Sequence, residues 1–213
     1  MRRHWAYLKA VCRHKWFVFL ACLQFGVPLL SAIFHDWDKF LPDEWFPYAR
    51  TFYKPNGEKQ YVESVEFAHA WMLHQHRNKH HWQWWLGITI TDHNFGMDIR
   101  KSNYLVWDRG VAQELVQRGD PQTHWELRDV PSYYPLSADP MSDRARREML
   151  ADWFGAGRAY NADWTPLEPR KWYEKNKDKM ILHPDTRAWV ESELMRREQA
   201  YLTDLRRRSA LGI

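Results

Sequence analysis

The residues most capable of chemistry are histidines and carboxylates gathered at four places in the chain. Ala32-Ile33-Phe34 is an apolar run that ends in adjacent His35 and Asp36. A neutral imidazole beside a carboxylate oxygen is a donor pair that suits a divalent metal. Neighbouring residues on a helix diverge by about 100°, so both reach one ion only at a helix end. His14 lies between Val11 and Val18 on an otherwise apolar stripe. A helix expected over 61–85 puts Phe67, Trp71, His74, Asn78, His81 and Trp85 on one line about 60° wide. Two imidazoles and an amide on a buried line need partners, because an unpaired buried polar group is costly. His69, His76 and His80 fall on the other face of that helix and are expected in solvent. His80 turns inward only if the helix breaks near Asn78. Glu148 and Asp152 stand one turn apart in an apolar helix near its end.

The elements that must position these groups are helical. Residues 2–25 carry the stripe His4, Tyr7, Val11, His14, Val18, Ala21 and Phe25, one face of a long helix. His4 shares that face but stands about 15 Å from His14 along the axis, so it can at most flank a site. Gly26 and Pro28 end the helix, and residues 29–36 form a short second helix that runs into His35-Asp36. Trp16 to Phe34 is almost uncharged and follows basic residues, as a signal anchor does. Gln24, Gly26, Pro28 and Ser31 interrupt it, and the expectation is two short buried helices. Leu41-Pro42-Asp43-Glu44 starts a third helix, and Lys54-Pro55-Asn56-Gly57-Glu58 is a turn. From 86 to 140 glycines and prolines punctuate the chain and only 106–118 reads as helix. That insertion is expected to serve as a lid or an oligomer contact. Helix resumes over 142–154 and stops at Gly155-Ala156-Gly157; 158–183 reads as irregular, and a charged helix closes the chain from about Asp185 to Arg208. The expected class is all-α, since no alternating strand is convincing.

Composition narrows the function classes. The 213 residues suit one domain with a large insertion. Fourteen tryptophans and an aromatic fraction of 16% favour a well-packed core. The 31 basic and 27 acidic residues are well mixed, which argues against dedicated nucleic-acid binding and for a small anionic substrate. Only two cysteines, Cys12 and Cys22, are present, so there is no disulfide framework and a reducing compartment is the default. No membrane partner is expected.

In this order the four pieces resemble the HD superfamily of metal-dependent phosphohydrolases. Arg13-His14-x-x-x-Val18-x-x-Ala21 looks like its first-helix histidine, and Ile33-Phe34-His35-Asp36-x-x-Lys39 is similar to its HD-x-G-K signature. His74 to His81 correspond to the paired downstream histidines of two-metal members, and Asp152 to the closing aspartate. Asp38 stands where the superfamily usually has Gly. A closer likeness is to the uncharacterised bacterial and phage proteins catalogued as DUF5662, carried by His35-Asp36-Trp37-x-Lys39-Phe40, Ala70-Trp71-x-x-His74, Asn78-x-His80-His81-x-x-x-Trp85 and Glu148-Met149-x-x-Asp152-Trp153. That likeness spans about 4–90 and 142–200 and leaves most of 86–140 outside.

The resemblance implies an HD-domain-like helical bundle, one domain over 1–213 with 86–140 inserted. It implies His14, His35, Asp36 and Asp152 on one ion, with Asp36 bridging to a second ion held by His74 and His81, or His80. The ions would be Mn, Mg, Co, Zn, Ni or Fe, one or two of them. Bound water with its pKa lowered to about 7 would supply a hydroxide nucleophile. Asp36, Lys39 and Glu148 are the expected catalytic residues, Lys39 for a phosphate oxygen and Glu148, like Glu44, as general base or ligand support. Lys39, Asn78 and Trp37 are the expected substrate contacts. The implied activity is hydrolysis of a nucleotide or other small phosphate ester in the cytoplasm of a bacterium or an infected host cell. Two alternatives share the site: a di-iron oxygenase, and a binding protein whose helices are stapled by metal.

Overall fold

In the computed structural model, residues 1–88, 105–107, 111–117, 125–129, 136–161 and 165–212 are described, with 88, 105–107, 111–117, 125–129 and 136–137 described in backbone alone. Helix α1 (Arg2–Phe25) buries Tyr7, Val11, His14, Val18, Ala21, Cys22 and Phe25, the stripe that the periodicity marks out. It stops at Gly26, whose φ of 67° is left-handed and costs glycine nothing. Val27 N–H then donates to the Cys22 carbonyl at 3.0 Å. Helix α2 (Leu29–Phe34) follows, but only Ala32 of its residues is buried. The expectation of a second buried helix fails here, because fewer than two turns present one small side chain inward. Helix α3 (Pro42–Phe52) opens with Pro at its first turn, where the missing N–H costs nothing.

Helix α4 (Val65–Arg77) is shorter than the expected 61–85. Ser64 caps it by accepting from Phe67 N–H at 3.1 Å, and Asn78 ends it in an extended conformation. A 3₁₀ turn, Trp82–Trp85, comes after. Helix α5 (Asp143–Asn161) runs through Gly155 and Gly157 instead of stopping there. A Cβ on Gly155 would stand 2.5 Å from Val18 Cγ2 and 2.6 Å from the Val18 backbone. The glycine therefore marks a close approach of α5 to α1, not a helix end. Helix α6 (Leu167–Asn176) and helix α7 (Pro184–Leu211) complete the set; α6 occupies much of the stretch expected to be irregular. Tyr7, Val11, Tyr48, Ala49, Tyr53 and Ala70 form a buried cluster joining α1, α3 and α4.

The class is all-α, with seven α-helices among the described residues. The chain divides into a helical unit, 1–84 with 140–213, and a second unit, 85–139. The second unit carries short antiparallel strands: β1 (Leu86–Ile88) pairs with β5 (Leu136–Ala138), and β2 (Leu105–Trp107), β3 (Val111–Gln117) and β4 (Trp125–Asp129) pair in that order. Val111–Gln117 was expected within a helix over 106–118 and is a strand instead. Its ladder with β4 runs over five pairs, and cross-strand pairing overrides a weak local helical preference. The lid or oligomer-contact role expected of 86–140 rests largely on residues outside the described ones. Among the described residues no helix is long and apolar enough to cross a membrane.

Candidate metal centre

The backbone at His35-Asp36 solves the divergence problem posed by adjacent ligands. α2 ends at His35, and Asp36 takes φ 53°, the one non-glycine residue with positive φ among the described residues. Left-handed backbone is sparsely populated outside glycine, though Asp tolerates it better than most. The break aims both side chains at α1, α4 and α5 together.

Of four groups of possible ligand atoms among the described residues, each within 4.8 Å of one another, two share Asp36. In the first, His14 Nε2 lies 3.2 Å from both Asp36 Oδ2 and Asp152 Oδ1, and His35 Nε2 lies 3.4 and 3.6 Å from the same two oxygens. In the second, the other oxygen of Asp36, Oδ1, lies 3.2 Å from His80 Nε2 and 3.5 Å from His74 Nε2, with His81 completing the set. The Asp36 carboxylate thus stands between both groups.

Behind the imidazoles sit further carboxylates. His74 Nδ1 approaches Asp38 Oδ2 at 3.0 Å and Glu44 Oε2 at 3.1 Å, and His35 Nδ1 approaches Glu148 Oε1 at 3.1 Å. An ionised carboxylate only accepts, so Nδ1 must carry the proton and donate. In the neutral imidazole this fixes the tautomer and leaves the Nε2 lone pair facing Asp36, the arrangement by which carboxylates orient metal-ligating histidines. Glu44, fully buried, also accepts from Arg77 Nη1 at 2.7 Å. Asn78 Nδ2 donates to Asp38 Oδ2 at 2.6 Å and to the His74 carbonyl at 2.9 Å. Asn78 therefore holds the histidine support and ends α4 at once. Lys39 Nζ rests 2.5 Å from Asp36 Oδ2, and Lys15 donates to the His35 carbonyl.

Charge and burial pull against each other throughout. Burial disfavours a charged His35, yet the nearby carboxylates of Asp36, Asp152 and Glu148 raise its pKa to about 9. Burial works against Glu148 too, but His35 and His80 lower it to about 2. Asp36 is held well below the usual carboxylate range against its own burial, by His35, Lys39 and His74. His81 is pushed the other way, well below the usual imidazole value, by burial and by the charges of His80 and His74.

The fit to metal rests on orphaned atoms. His35 Nε2, Asp36 Oδ1, His74 Nε2, His80 Nε2, His81 Nε2 and Asp152 Oδ1 are buried without a hydrogen-bond partner. Each such atom costs about 1–3 kcal/mol when unpaired, and here they converge in two groups of the donor types that bind divalent ions. These buried groups could hold a metal ion.

Among the residues singled out in the sequence, His14, His35, Asp36, Asp152, His74, His80 and His81 come together, with Glu148 and Lys39 at the edge. Trp37 is 55% exposed. His4 is outside the groups, its Nδ1 accepting from Trp45 Nε1 at 3.0 Å. His76 is exposed, against the Met72 carbonyl at 2.8 Å. The 61–85 helix was expected to keep His80 outward; because α4 ends at Arg77, His80 turns in and is buried. Missed altogether were Lys15 and Tyr160, whose ring stacks on His14 at 5.9 Å. Lys15, one residue after His14 in the stripe, had a sequence signal; Tyr160 had none, because α5 was expected to end before it.

The chain matches the family described as DUF5662, a family of unknown function, over residues 3–110 and 120–196. It belongs to that family. The DUF5662 match takes in much of 86–140, which the sequence likeness had left outside. No curated protein and no solved structure matches the chain.

Proposed function

We propose that this DUF5662 protein is a metal-dependent phosphohydrolase acting on a nucleotide or another small phosphate ester. The observation that carries the reading is the Asp36 carboxylate, one oxygen toward His14 and His35 and the other toward His74 and His80. The likeness to HD-type phosphohydrolases supports it. His14, His35, Asp36 and Asp152 would hold one ion, and Asp36, His74, His80 and His81 a second. Bound there, divalent ions would activate water and neutralise charge on a phosphoryl group.

The chain's own groups do the rest. Lys39, already on Asp36, brings a cation to where a phosphate oxygen would lie. Glu148 faces the Nδ1 side of His35 and His80, so it holds and orients two ligands and is the weaker choice for general base. Asp38 and Glu44 keep the proton of His74 on Nδ1, and Asn78 holds Asp38 in place by donating to it. Asn78 is committed to that support, which makes it a positioning residue more than a substrate contact. Trp37, next to Asp36 in the chain, and Tyr160, stacked on His14, are exposed aromatics available to a base or sugar.

The test is metal analysis of the purified protein by plasma mass spectrometry, with phosphate release from a nucleotide panel before and after chelation. Mn, Mg, Co, Zn or Ni with chelator-sensitive release is the expected result. Iron with oxygen consumption would transfer the site to the oxygenase reading, metal without turnover to the staple reading, and absence of metal would overturn all three.

A further inference from the structure

Helix α1 has a second apolar face, opposite the one it buries. At 100° per residue, Trp5, Trp16 and Leu23 fall within about 20° of one another on the outward side, and all three are exposed. Arg2, Lys9 and Arg13 lie alongside them, within about 80° of the same line, and are exposed as well. Lys9 Nζ sits 5.2 Å over the Trp5 ring. Helix α2 lies beside α1, held to it by Lys15, which donates to the Ile33 carbonyl at 3.4 Å. There Leu29, Leu30, Ile33 and Phe34 are all exposed, Leu30 at 70% and Phe34 at 62%. Four exposed apolar side chains on one six-residue helix are the clustered apolar surface that marks an interaction site on a folded chain.

The charge pattern selects the partner. Residues 1–35 contain Arg2, Arg3, Lys9, Arg13 and Lys15 and no acidic residue; the first is Asp36. A second copy of the chain across a two-fold axis would set this positive edge against itself. A nucleic acid would meet the basic residues but leave four aliphatic and aromatic side chains of α2 without a match. A bilayer surface satisfies both, since basic side chains meet anionic headgroups while Trp, Leu, Ile and Phe enter the acyl boundary. With no spanning helix among the described residues, the mode is lying on the surface rather than crossing it. We propose that the outer face of α1 together with α2 docks the protein on a membrane surface containing anionic lipid. His35-Asp36 follows Phe34 directly, so docking would bring the metal centre close to the headgroup layer. The proposal does not depend on which reaction the centre performs.

The experiment is co-sedimentation of the full chain with phosphatidylcholine vesicles, with and without phosphatidylglycerol. Sedimentation with the anionic vesicles, weakened by salt, is the expected result. Leu30→Ser with Phe34→Ser should lower partitioning about tenfold or more, and Lys9→Glu with Arg13→Glu should do likewise. All four positions are exposed, so unchanged melting and metal content check that the variants fold. Equal sedimentation with neutral and anionic vesicles, none with either, or variants that bind like the parent would each overturn the proposal. So would a dimer seen by light scattering that the Leu30/Phe34 pair abolishes, or oligonucleotide binding in place of vesicle binding.

Discussion

Asp36 concentrates the demands on this site in one residue. It is buried, left-handed in backbone, and faces five imidazoles and an ammonium through two oxygens. Asp36→Ala removes the ligand shared by both groups, and the expected outcome is loss of all bound metal by mass spectrometry. Retention of full occupancy would show that the centre lies elsewhere. Glu148→Gln keeps the ligands but weakens the hold on His35 and His80, so metal affinity should drop about 10–100-fold without vanishing. His76→Ala, in solvent on the far side of α4, should leave metal content unchanged. The phase of α4 ties these residues together: His74 in and His76 out follow from one helical register, and His80 and His81 both turn in because the register ends at Asn78.

Much of that was legible at the element scale, and the failures have local causes. The α1 stripe and the starts of α3 and α7 were readable because one buried face, or a Pro at the first turn, imposes its period on the sequence. Asp38 read as an intrusive charge, and only its approach to His74 shows why it is there. Gly155 misled because a glycine that ends a helix and one that lets two helices touch look the same in sequence. The distinction is testable. In an exposed helix Gly→Ala stabilises by about 1 kcal/mol, whereas Gly155→Ala drives a Cβ into the Val18 backbone and should destabilise by about 3 kcal/mol in urea melts. Cys22, on the buried face of the same helix as exposed Cys12, offers a pH test. Burial, then the charges of Glu148, Asp152 and Asp36, push its thiol up to about 12. The fold favours the neutral thiol, so this contribution is present below the ordinary value of 9.0 and is lost as pH rises through about 12. A thiol reagent below pH 9 should therefore modify Cys12 alone in the native protein and both cysteines after denaturation. Two fast-reacting thiols in the native state would contradict the packing of α1.

At the scale of the whole molecule, the second unit, 85–139, draws its own two ends together. Leu86 pairs with Ala138 and Gly87 with Ser137, and Asp139 N–H donates to the Trp85 carbonyl at 2.9 Å. The chain thus enters and leaves this unit at neighbouring points, as it does in inserted units. Every ligand of the candidate centre belongs to the helical unit. Replacing 87–137 by a short Gly-rich turn should therefore leave a chain that folds and still takes up metal. Metal-linked stability is the readout, because an ion that binds only the folded state stabilises it by mass action. At a hundredfold excess over Kd the gain is about 2.7 kcal/mol, or about 5–10 °C in Tm at this size. Parent and excised chain should show the same rise, and Asp36→Ala should abolish it in both. An excised chain that melts cooperatively but gains nothing from metal would place part of the centre's support in 85–139. An excised chain that does not fold would make the helical unit dependent on the insertion.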